Sequence, residues 1–149
     1  MEIPTAAKTL LEHKGRDIWT AAPDITVYEA IQHMSDKNVG ALPVVDGGKL
    51  VGIISERDYM IKVVLKGKAS KDTLVRDIMT SKVVSVSPDE SVSECMRIVT
   101  EHRIRHLPVV EGDELLGIVS IGDLVRWIIA TQRMTIDQLN AYIAGGYAA

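Results

Sequence analysis

The 149-residue chain has one cysteine, Cys95, no phenylalanine, and only two tryptophans and four tyrosines. A lone cysteine closes no internal disulfide, and no Cys/His group has zinc-ligand spacing, so redox chemistry and a structural zinc site are not expected. Few aromatics and a formal net charge of −3 argue against a general nucleic-acid binder, which needs a basic face and stacking rings. No apolar run approaches the roughly 18 residues of a membrane span, and the N-terminal "MEIPTAAKTLLEHKGRD" lacks the basic start and apolar stretch of a signal peptide. The expected setting is the cytoplasm. Gly47-x4-Gly52 and Gly112-x4-Gly117 have phosphate-loop spacing, yet neither is followed by Lys-Ser/Thr, and no G-x-G-x-x-G occurs. These glycines are expected to serve hairpins. No nucleophile stands in a motif with a partnered base, so an enzyme is not expected.

What the chain does have is a repeat. Laid on itself at an offset of 65, Ile18–Val64 aligns without a gap on Val83–Ile129, and 14 of the 47 positions are identical. The polar "KGKASK" (Lys66–Lys71) reads as the linker between the copies. Units at 8–66 and 72–130 follow, with an unrepeated tail at 131–149.

Each copy opens with a short strand-like run ended by Pro23 or Pro88. An amphipathic helix follows, with Val27, Ala30, Ile31 and Met34 matched by Val92, Cys95, Met96 and Val99. Cys95 therefore reads as core. Thr26-x-x-Glu29 and Ser91-x-x-Glu94 predict capping boxes. "LPVVDGGKLVGIIS" and "LPVVEGDELLGIVS" then predict β-hairpins, each leading into a second helix. The order is β-α-β-β-α, twice. Strands apolar at successive positions predict two lobes packed sheet to sheet about a pseudo-two-fold axis, with paired crevices between them.

Both hairpins close on Ser-x-x-Asp: Ser55 to Asp58 and Ser120 to Asp123. One reading is helix capping, the serine accepting a backbone N–H and the acid lying at the positive helix end. Aspartate is one methylene shorter than the glutamate of the other two boxes, however, and reaches back to the cap less well. The second reading is a nucleotide site, since free N–H groups at a helix start suit a phosphate and a carboxylate suits a ribose diol.

The duplicated h-x-h-P-V-V, turn, G-h-h-S-x-x-D pattern resembles a tandem cystathionine β-synthase (CBS) domain pair, or Bateman module, over about residues 8–130. The resemblance implies an α+β fold of two β-α-β-β-α repeats, often dimeric, with two clefts for adenosine-containing ligands such as AMP, ADP, ATP, NAD(H) or S-adenosylmethionine. It implies that Asp58 and Asp123 hold ribose, that Ser55 and Ser120 lie on the phosphate side, and that Ile18 and Val39, or Val83 and Ile104, line the adenine. Ala41, Pro43 and Pro108 belong to the same cleft-lining segments.

The copies differ before the proline: "RIRH" (Arg103 to His106) precedes Leu107-Pro108, while "NVGA" (Asn38 to Ala41) precedes Leu42-Pro43. Arg105 and His106, with Arg57 of "SERD", are the candidate phosphate clamp, and the aspartate that shares a ligand with Arg105 stays open. His102 and His106 are four apart, but the approaching Pro108 argues against the continuous helix a metal pair would need. In the tail, Ile136, Leu139 and Ile143 predict a short amphipathic helix stopping at Gly145-Gly146, packed on the module or on a second subunit. The expected function is a stand-alone regulatory module that binds an adenine nucleotide, senses energy or redox state as a homodimer, and signals to an effector protein. The alternative is a structural or dimerisation module with vestigial clefts.

Overall fold

The computed structural model describes residues 5–15, 17–141 and 143–144. Thr26 and Ser91 each accept a hydrogen bond from the backbone N–H three residues on, at 3.1 Å, and so start α2 (Val27–Lys37) and α5 (Val92–His102). Val27, Ala30 and Met34 are buried in one helix, and Val92, Cys95 and Val99 in the other. Burial, with Glu90 and Glu94 nearby, pushes the Cys95 thiol up to about 11, so it is core packing and not a nucleophile. Only half of the expected box forms at either helix. The Ser91 N–H turns to Glu90, and Glu94 pairs instead with Arg97. Both helices end on a left-handed residue, Asn38 at φ 54° and Arg103 at φ 53°. That conformation suits asparagine and strains arginine by about 1–2 kcal/mol.

The hairpins form as the sequence predicts, β1 (Ala41–Asp46) with β2 (Lys49–Ser55) and β3 (His106–Glu111) with β4 (Glu114–Ser120), both antiparallel. The leading strands do not. Each shrinks to a one-residue parallel bridge, Ala21 beside Val44 and Val86 beside Val109, because Pro23 and Pro88 lie two residues on and have no N–H to extend the ladder. Each lobe therefore holds a two-stranded sheet with one bridging residue, and β2 packs against β4 between the lobes.

The segments ahead of the two copies are exchanged. α1 (Ala7–Lys14) precedes the first copy, yet Ala7 and Leu10 are buried in the second core beside Val92, Val109 and Leu124. α4 (Val75–Ile78) precedes the second copy, yet Val75 and Ile78 are buried in the first core beside Val27, Val44 and Ile54. Backbone bonds fix both: Ala7 N–H to Glu90 O at 2.8 Å, and Val75 N–H to Ile25 O at 2.9 Å. This exchange corrects the reading of the Gly-h-h-Ser glycines. The hairpin turns use Gly47, Gly48 and Gly112, all at positive φ, whereas a Cβ on Gly52 would lie 2.6 Å from Met79 Sδ and one on Gly117 2.7 Å from Leu11 Cδ2. The motif glycines make room for the other copy's leading segment.

α3 (Glu56–Tyr59) runs on into a π-helical stretch at Met60–Val64. Its counterpart, α6 (Ile121–Ala141), is one helix of 21 residues. The tail helix is thus the end of α6 and not a separate element, and Ile136, Leu139 and Ile143 are exposed and not packed on the module. The expected stop at Gly145-Gly146 lies outside the described residues. Among the described residues, no helix is long and apolar enough to cross a membrane.

Candidate functional site

Between the lobes lies a cleft of about 1320 Å³. The β2–α3 corner brings Ser55, Arg57 and Asp58 to one wall. Val83, Ile104, Arg105, His106 and Pro108 come from the second copy, and Val39 and Ser120 line the cleft as well. Asp58, and not Asp123, lines the same cleft as Arg105. Lys82, Arg103, Glu56, Tyr59 and Val84 also line it and were not among the candidates. Lys82 sits in the unremarkable "TSKV", and Arg103 at a helix end that reads equally as a solvated surface.

The cleft is locally cationic. Arg57, Lys82, Arg103 and Arg105 stand against two carboxylates, Glu56 and Asp58, in a chain of net charge −3. His106 adds no charge at neutral pH. Its burial, with Lys14 and Arg105 near, holds the imidazole below its usual value against the opposing pull of Glu56 and Asp123. Gly40 lets this wall close, since a Cβ there would meet Glu56 Oε1 and His106 Nε2, both at 3.3 Å.

Aspartate reaches the cap after all. Asp58 Oδ2 accepts from Ser55 N–H at 3.0 Å and from Ser55 Oγ at 3.1 Å, while Ser55 Oγ accepts from Asp58 N–H at 3.2 Å. Lys62 Nζ reaches Oδ1 at 3.1 Å. Ser120 and Asp123 form the same reciprocal pair, at 2.8 and 3.1 Å. The two readings of Ser-x-x-Asp are therefore not exclusive: the carboxylate finishes the helix start, and at Asp58 it also faces the cleft. The helix amides are a weaker anion site than expected, because Glu56 N–H is spent on Gly40 O at 3.0 Å and Ile121 N–H on Arg105 O at 2.8 Å. A phosphate here would rely on arginine side chains.

The second cleft is much smaller. A cavity of about 200 Å³ is lined by Lys14, Asp17, Trp19, Val39, Ala41 and Ile118. Of the remaining candidates, Ile18 is 37% exposed and lines neither cavity, Pro43 is fully buried in the strand, and Asp123 is turned to Lys14 and Arg126. Burial alone would raise the Asp123 carboxyl, but the bonds from Lys14 and the Ser120 N–H outweigh it and hold it below the ordinary value. His102 closes α5 and His106 opens β3, with Arg103 left-handed between them, so the two do not share a helix.

The model of the CBS domain family matches residues 6–64 and 75–130. The chain is 42% identical over 153 residues to the Arabidopsis thaliana CBS domain-containing protein CBSX3, mitochondrial, spanning 96% of this chain and 74% of that one. A solved structure from Burkholderia ambifaria, named for signal transduction and CBS domains, superposes with a TM-score of 0.81 at 50% identity, over 86% of this chain and 96% of its own. The CBS domain pair of protein MJ0100, solved in complex with 5′-methylthioadenosine and S-adenosyl-L-methionine, gives 0.77 at 30% identity, over 87% and 99%. Two matched segments, two lobes of one pattern and these relatives agree: the chain belongs to the CBS domain family and carries the domain as a tandem pair.

Proposed function

We propose that the chain is a regulatory module that binds an adenosine nucleotide, AMP, ADP, ATP or NAD(H), in the large cleft and has no chemistry of its own. One observation carries this reading. The cleft gathers Arg57, Lys82, Arg103 and Arg105 around a carboxylate, with apolar Val39, Val83, Val84 and Ile104 beside them. In this arrangement Asp58 accepts from the ribose hydroxyls, the apolar residues sandwich the base, and the arginines meet phosphate in charge-assisted bonds. The ligands of the MJ0100 pair support an adenosine site. The excess of cations favours a phosphorylated adenosine over a cationic sulfonium here.

The 8–66 and 72–130 units act together in this reading, since each cleft draws on both. A homodimer is supported by exposed apolar residues at matching places in the two copies, Met60 and Val64 in one, Val125 and Ile129 in the other, which a second subunit would cover. The 131–149 tail, with Ile136 and Leu139 exposed, extends that surface. The effector is a protein that reads the occupied cleft, and the proposed compartment is the cytoplasm, although the plant relative is mitochondrial by name.

The test is a melting panel of AMP, ADP, ATP, NAD, NADH and S-adenosylmethionine. A ligand at 100 times its dissociation constant adds about 2.7 kcal/mol of stability. A rise with phosphorylated adenosines is expected. No shift with any of them would leave the structural module as the function.

A further inference from the structure

The two cavities are one site in two copies. Asp17, Trp19, Val39, Ala41 and Ile118 of the small cavity stand 65 residues from Lys82, Val84, Ile104, His106 and Ile53, all of which line the large one. One copy of the site keeps about 1320 Å³ and the other about 200 Å³, less than the roughly 300 Å³ at which ligand pockets begin.

The difference begins in the leading segments. Where the second carries Met79, the first carries Lys14. Lys14 Nζ reaches Asp123 Oδ2 at 2.8 Å and Ile118 O at 2.9 Å, and Arg126 Nη2 takes Oδ1 at 2.7 Å. Asp58, by contrast, takes a cation from its own helix, Lys62, and keeps its place on the open cleft. The pseudo-equivalents of Lys82, Arg103 and Arg105 are Asp17, Asn38 and Gly40, of which Asp17 alone lines the small cavity, so no counterpart of those three cations is there to hold a phosphate.

We infer that Lys14 is a built-in occupant of the second cleft: its ammonium takes the place of a ligand's ribose on Asp123, and the chain offers a ligand the first cleft alone. The inference rests on the nucleotide reading of the first cleft. The exchange of α1 into the second core carries Lys14 to Asp123, 109 residues away in sequence. One helix end thus both docks the leading segment and plugs the pseudo-symmetric site.

The test counts adenosine, which needs no phosphate clamp, bound per chain by equilibrium dialysis, using the full chain, Lys14→Met, which copies Met79, and the milder Lys14→Gln. The parent is expected to bind one equivalent and each variant one more, the extra equivalent vanishing when Asp123→Asn is added. Equal counts in the parent and both Lys14 variants would overturn the inference, as would two equivalents in the parent. A parent that binds none refutes the reading of the first cleft instead. The difference between variant and parent still tests the plug.

Discussion

Asp58→Asn and Asp123→Asn should damage binding and stability in opposite order. Asp123 is 13% exposed and holds Lys14 at 2.8 Å, Arg126 at 2.7 Å and the Ser120 N–H at 2.8 Å. Asparagine keeps one carbonyl acceptor but turns an NH₂ toward one of the two cations, so at least one charge-assisted bond is lost. Such a bond contributes about 1.5–3 kcal/mol, discounted because Lys14 and Arg126 are partly exposed. A stability loss of roughly 1–3 kcal/mol is expected. Asp58 is 14% exposed, but its partner cation, Lys62, is 41% exposed on the same helix, and the asparagine carbonyl can still accept from Ser55. There the loss should be about 0.5–1 kcal/mol. Binding reverses the order. Asp58→Asn removes the charged ribose acceptor of the open cleft, at a cost of about 1.5–3 kcal/mol, or roughly 10- to 150-fold in affinity for AMP. Asp123→Asn should leave that affinity alone. Calorimetric titration with AMP, beside urea unfolding without ligand, measures both. Equal loss of binding in the two variants would refute the assignment of the cleft. An Asp58→Asn chain that binds like its parent would return the motif to plain helix capping.

Arg105→Ala should weaken ATP by tenfold or more and adenosine hardly at all, since the guanidinium serves phosphate; competition binding that shows equal losses would remove that role. Acidification should destabilise the fold in two windows. His106 titrates below its usual 6.5 and Asp123 below its usual 3.8, so the unfolded chain takes up each proton first, and stability falls as pH drops below 6.5 and again below 3.8. Unfolding curves from pH 7 to 3 check this, and Asp123→Asn should flatten the lower window. Gly52→Ala meets Met79 and, at 3.1 Å, the Thr80 carbonyl, and should cost about 1–3 kcal/mol globally. Gly117→Ala meets the Leu11 side chain, and should chiefly loosen α1, seen as faster hydrogen exchange at Ala7–Lys14.

The features legible in the sequence are those with a short period. Val27, Ala30 and Met34 announce a buried helix face, and "VVDGGKLV" a hairpin, because each signal lies within a dozen residues. Placing Asp58 and Arg57 at a cleft needed both the repeat and the resemblance to a known family, and that Arg105 lines the same cleft was legible only in the structure. The exchange of leading segments was not legible. Leu10 and Val75 are apolar in either arrangement, and nothing local says which core takes them. The Ser-x-x-Asp cap was misjudged on length: aspartate reaches the cap N–H in both copies, at 3.0 and 2.8 Å.

A sequence repeat predicts equal clefts only as far as the residues facing them repeat. The gapless alignment begins at Ile18, so Lys14/Met79 and Asp17/Lys82 fall just ahead of it, while Asn38/Arg103 and Gly40/Arg105 lie inside it among apolar matches. Identity in the strands reports the shared fold, because Leu42, Val44, Leu107 and Val109 are fully buried and constrained by packing. The four unlike pairs set the clefts apart: Asp17 lines the small cavity where Lys82 lines the large one, Lys14 enters the small cavity while Met79 lines neither, and Arg103 and Arg105 bring cations to the large cleft that Asn38 and Gly40 do not bring to the small one. Where a duplicated chain keeps its core and loses charge at one cleft, the clefts have separated in role. Here the separation is completed by Lys14, a cation supplied from outside the repeat itself.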